Sequence, residues 1–69
     1  MDAIEKELLS RKEEIKKELQ LLFKANIKIT DWDVPEADDE KAATILAEIV
    51  QEALDEIKQD IRDGKYKNY

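Results

Sequence analysis

Apolar residues recur along this chain with a helical period in two long stretches, and the period lapses between them. In the first, Ile4, Leu8, Ile15 and Leu22 lie on one stripe, with Leu19 and Phe23 widening its second half. That is the pattern of an amphipathic helix, and it predicts helix one over about 2–25. Asp2/Lys6, Glu7/Arg11 and Glu13/Lys17 add acid-before-base pairs four residues apart, each contributing about 0.2–0.5 kcal/mol. The stripe has a polar hole at Ser10, Arg11 and Lys12. Either the Arg11 stem lies over the core edge there, or helix one packs in two separate patches.

The connection is expected over 26–38. Asn26 is a plausible terminator for helix one. Ile27, Lys28, Ile29 and Thr30 alternate apolar and polar, which suits a short extended stretch that a second copy could pair with. Asp31, Trp32, Asp33, Val34 and Pro35 read as a turn, with Pro35 holding Val34 away from helical angles.

Helix two is expected over about 39–63, with Asp38 or Asp39 as its cap and acids in its first turn. It carries two adjacent stripes, Ala42, Ile45, Ile49, Ala53 and Leu46, Val50, Leu54, Ile57, Ile61. Together they are wider than the seam of a two-stranded coil. Arg62 in the last turn and Gly64 just beyond form a stop signal. The tail over 65–69 is expected to fray.

The implied fold class is all-α. It is a single domain, an antiparallel two-helix hairpin that self-associates into a four-helix bundle. One stripe of helix two faces helix one, and a second hairpin covers the other. Leu8, Ile15, Leu22, Leu46, Val50, Leu54 and Ile57 are the residues assigned to this assembly. A homodimer is the commonest oligomer and the expected one.

Composition sharpens that expectation. A chain of 69 residues supplies a core worth only about 3–5 kcal/mol without a staple. The sequence has no Cys and no His, so disulfides and thiolate metal sites are excluded and zinc would rest on carboxylates alone. Oligomerisation is the staple that remains. Charge is divided unevenly: seven Lys/Arg face six Asp/Glu over 1–30, and five face twelve over 31–69. Acidic character of this kind argues against nucleic-acid binding. The densest apolar run, Leu21-Leu22-Phe23, is far short of the ~20 residues of a membrane span. No signal peptide is visible, and a cytoplasmic location is the default reading.

Candidate chemistry is sparse. The single Ser, Ser10, stands among charged residues with no His to activate it, so an enzyme is not expected. Asp31, Asp33, Glu36, Asp38, Asp39 and Glu40 put six carboxylates into ten residues. Asp31-x-Asp33 opens like a calcium loop, but Glu36 stands where that loop requires Gly. The reading is a solvated acidic turn with no metal and no cofactor. Trp32 is expected to close the open end of the bundle over Ile27, Ile29 and Val34. The alternative makes Asp31, Trp32, Asp33, Asp38 and Asp39 an exposed tip that binds a basic protein partner, an antitoxin-like role.

Ala53, Leu54, Ile57, Ile61, Gly64 and Tyr66 resemble the end of the coiled coil in DksA/TraR-type transcription regulators. The resemblance implies a helical hairpin whose acidic tip, here Asp31–Glu40, enters the secondary channel of RNA polymerase. Asp33-Val34-Pro35-Glu36-Ala37-Asp38 echoes the tip pattern Asp-Pro-x-Asp-x-Ala of that family. The family continues from its glycine with Gly-x-Cys into a zinc finger, whereas Gly64 is followed by Lys65 and Tyr66.

Overall fold

The structure is a computed structural model that describes residues 2–36 and 38–68. It is all-helical, with no strand among the described residues, and it has three helices where the periodicity predicts two. These are α1 (Ala3–Ser10), α2 (Lys12–Asp33) and α3 (Asp39–Arg62).

The break between α1 and α2 falls in the polar hole of the first stripe. Ser10 donates its hydroxyl to the Glu7 carbonyl at 2.7 Å, a local bond that competes with regular helix. The Arg11 amide takes the Leu8 carbonyl at 3.1 Å, one residue early for an α-helix. Arg11 then sits at φ −105°, ψ 7°, in the sparsely allowed bridge region. Its guanidinium spans the break, 3.7 Å from Glu7 and 3.9 Å from Glu14. Asp2 caps α1 by accepting from the Glu5 amide at 2.8 Å.

The largest correction concerns residues 26–33. Asn26 does not end the helix, and Ile27–Thr30 are not extended, because α2 runs through to Asp33. The connection therefore shrinks from the expected 26–38 to 34–38. Asn26 donates its side-chain amide to the Leu22 carbonyl at 2.9 Å, and Thr30 its hydroxyl to the Asn26 carbonyl at 3.0 Å. Both polar side chains are thus satisfied inside the helix. Phe23, Ile27, Thr30 and Asp31 are half-buried, and their spacing of four, three and one is helical. Tertiary contact over that face overrides the short alternation. Pro35 stops the helix as expected: Val34 sits at φ −132°, ψ 83° and donates its amide to Thr30 at 2.8 Å.

Asp38 caps α3, accepting from the amides of Glu40 at 3.0 Å and Lys41 at 3.3 Å. At the other end the Gly64 amide bonds to the Ile61 carbonyl and the Lys65 amide to the Asp60 carbonyl, with Gly64 at φ 80°. This is a Schellman closure, which needs a left-handed residue at that point. The tail expected to fray runs in turns from 63 to 68. Lys65 is held 3.1 Å from Asp60, and Tyr69 lies outside the described residues.

Among the described residues none is buried. Contact between α2 and α3 centres on the connection, where Ala42, Ala43, Leu46 and Val50 are the half-buried residues of α3 nearest that end. The radius of gyration is 15.9 Å, against about 11 Å for a compact domain of this length. No helix of the described residues is long and apolar enough to cross a membrane.

Candidate interaction surface

Two surfaces stand out, an apolar side of the helix pair and an acidic tip. The apolar side is a groove between α2 and α3 lined by Asn26, Thr30, Ala42, Ile45, Leu46 and Ile49. Leu22, one turn before Asn26, and Leu19, two turns before it, continue the α2 wall by helical geometry. Ile15 extends it one turn further. Asn26 uses one amide N–H and Thr30 its hydroxyl within α2, so each side chain already has a partner.

Of the residues assigned to assembly, Leu46 and Val50 are half-buried, and Leu46 lines the groove with α2. Leu8, Ile15, Leu22, Leu54 and Ile57 are all between 41% and 50% exposed, which leaves each able to be covered further. Ile45, Ile49 and Leu19 stand outside that set although they line or extend the groove. The signal for the first two is the stripe of helix two running through Ala42, Ile45, Ile49 and Ala53.

The chain as a whole exposes 6402 Å², whereas a compact monomer of this size exposes about 4,500 Å². The surplus is about 1,900 Å², against the roughly 800 Å² each partner contributes to a standard interface.

At the tip, the carboxylate-rich segment is divided among three elements. Asp31, Trp32 and Asp33 form the last turn of α2, Glu36 lies in the connection, and Asp38, Asp39 and Glu40 cap and open α3. Acids at the start of α3 meet the positive pole of that helix, but those ending α2 meet a negative one, with no base in its last turn. Asp31 approaches Asp39 across the connection. A hydrogen bond shared with Asp39, then partial burial, then the like charge of Asp39 raise the Asp31 carboxyl above its ordinary 3.8. No three carboxylates of the described residues converge as a metal site.

Trp32 corrects the expectation that it closes the end of the bundle. It is 87% exposed, the most exposed of the large apolar side chains. It borders a shallow hollow with Lys28, Ile29 and Asp33. The helical path of 27–33 sets it among residues of its own helix, away from α3.

No family model matches the chain, and neither the curated proteins nor the solved structures contain a match to it.

Proposed function

We propose that this chain is a non-enzymatic helical protein that acts through self-association and protein–protein contact. The α2–α3 pair works as a hairpin that dimerises into a four-helix bundle, with Leu8, Ile15, Leu22, Leu46, Val50, Leu54 and Ile57 at the assembly surface. One observation carries the reading: no described residue is buried, and about 1,900 Å² of surface is in surplus for a chain of this size. A fold that leaves this much uncovered gains its stability by association.

Sedimentation equilibrium at micromolar concentration, alongside circular dichroism across a dilution series, tests it. Helicity and mass should fall together on dilution. A folded monomer that keeps its helicity at every concentration defeats the proposal.

A second reading is favoured by the exposure of Trp32 among carboxylates. In it the tip, Asp31, Trp32, Asp33, Asp38 and Asp39, docks on a basic protein as an acidic regulator. Capture of the same partners by wild type and by Asp38/Asp39/Glu40→Ala, in equal amounts, would remove it.

A further inference from the structure

We infer, on the footing of the self-association proposed above, that α1 is an exchanged arm. In the dimer each chain lays its α1 on the far half of the other copy's α3, against Leu54, Ile57 and Ile61. The helices α2 and α3 are nearly equal in length, 22 and 24 residues, and reverse through the short connection over 34–38. The start of α2 is therefore level with the end of α3, and α1, beyond the break at Arg11, overhangs the hairpin. The longest dimension of the molecule is 49 Å, where the 24 residues of α3 span about 36 Å and the eight of α1 add about 12 Å. Among the described residues α1 makes no contact with α3 of its own chain.

The arm carries an apolar ridge that its own chain leaves uncovered. Ile4 and Leu8 are one turn apart with Leu9 beside them, and Ile4 is 72% exposed. To fold back on its own α3 the arm would have to reverse at Arg11, a lone residue at φ −105°, ψ 7° that leads straight into α2. Antiparallel helices need about two to five residues for such a reversal. A second copy offers the matching length: Leu54, Ile57 and Ile61 share one face over 54–61, as long as the eight residues of α1. A two-fold dimer makes this contact twice, arm for arm.

Charge selects the same match. Glu5 and Glu7 stand on either side of the Ile4–Leu8 ridge, while Lys6 lies at the back of α1 by helical spacing. Glu7 reaches Arg11, and Glu5 is in no ion pair among the described residues. On α3 the bases after Lys41 are Lys58 and Arg62. Lys58 edges the far face one turn beyond Leu54, and Arg62 follows one turn later. Neither is ion-paired among the described residues, and Arg62 donates to the Gln59 side chain at 2.9 Å. The acid nearest that face, Asp60 on its other edge, is already held by Lys65. Asp55, Glu56 and Asp63 are turned further toward the back. An arm with acids beside its ridge thus meets a face whose free edge is basic.

The chain has no Cys, so introduced thiols report one pair of positions at a time. Full-length Glu5→Cys and Lys58→Cys chains are mixed, treated with a short bismaleimide and separated under denaturing conditions. The mixture should give abundant covalent dimer, and Glu5→Cys mixed with Lys28→Cys, near the connection, should give little. Ile4→Asp should weaken association about tenfold in sedimentation. Lys58→Glu should weaken it about two- to fivefold, with recovery when Glu5→Lys is added to the same chain. Equal cross-linking in the two mixtures, or a dimer unmoved by both Ile4→Asp and Lys58→Glu, overturns the exchange. So does a chain carrying both thiol substitutions that links within itself at high dilution, because the arm then lies on its own α3. In each of those cases a dimer that persists in wild-type sedimentation leaves the self-association proposal standing, whereas a wild-type monomer removes both.

Discussion

Around the connection, α2 and α3 cover one another; toward their far ends they do not. Near the connection Phe23, Ile27, Leu46 and Val50 are half-buried, the Asp38 cap is complete, and the polar side chains of Asn26 and Thr30 are bonded within their helix. Far from it, Leu8, Ile15, Leu19, Leu54, Ile57 and Ile61 are as apolar as the first set, yet each is more than two-fifths exposed. The two regions have similar residue types, but half-buried large apolar side chains occur only in the first, and even there Ile45 and Ile49 stay open along the groove. Local bonds and contact within one chain account for the first. The second has the composition of a core without the coverage of one, and it gives Leu8, Ile15, Leu54 and Ile57 to the proposed assembly surface.

The sharpest way to break this contrast is Leu54→Asp. On a surface that stays exposed, the substitution should cost less than about 0.5 kcal/mol. In a seam completed by a second copy it should cost about 3 kcal/mol or more and abolish dimer and helicity together. Thermal melts at several concentrations, with sedimentation, separate the two outcomes.

Asp38→Ala probes the other region. It removes the bonds to the Glu40 and Lys41 amides and should cost about 1 kcal/mol. Chemical denaturation reads the loss. It should move the midpoint by a similar amount at low and high protein concentration, because the cap is satisfied within one chain.

The smallest effect concerns Asp31 and Asp39. Because the Asp31 carboxyl is raised in the folded chain, the folded state holds that proton more tightly than the unfolded one. Its stabilising contribution is present below the ordinary value of 3.8 and lost as pH rises through the elevated one. Asp39→Asn should flatten this dependence and raise the melting temperature slightly at neutral pH. A melt series from pH 3 to pH 7, set against wild type, checks it, and parallel curves for the two proteins would count against the pairing.

Much of this architecture is legible in the periodic stretches. The helical class, the Asp38 cap, the stop at Gly64 and the role of Pro35 all come from local chemistry that needs no tertiary information. The hole at Ser10–Lys12 marks the place of the break, though spacing alone does not say whether Arg11 bridges the gap or divides the helix. Residues 26–33 mislead because four alternating residues satisfy a strand period and a helical one equally well. Contact with Ala42 and Leu46 across the groove decides between them. The position of Trp32 depends on that same segment, since a helical path swings it outward. The groove is only half visible in the pattern: its α3 wall is one of two stripes, and only the fold shows which stripe α2 leaves open.

One consequence of the discontinuity at Arg11 is kinetic. Ala3–Ser10 has its own starting cap at Asp2 and its own terminal turn, and α2 begins afresh with the Ile15 amide on the Arg11 carbonyl. The leading eight residues can therefore melt away and re-form without unzipping α2. Their amide hydrogens should trade with deuterium sooner than those of 16–30, in two separate waves instead of a gradient from the end.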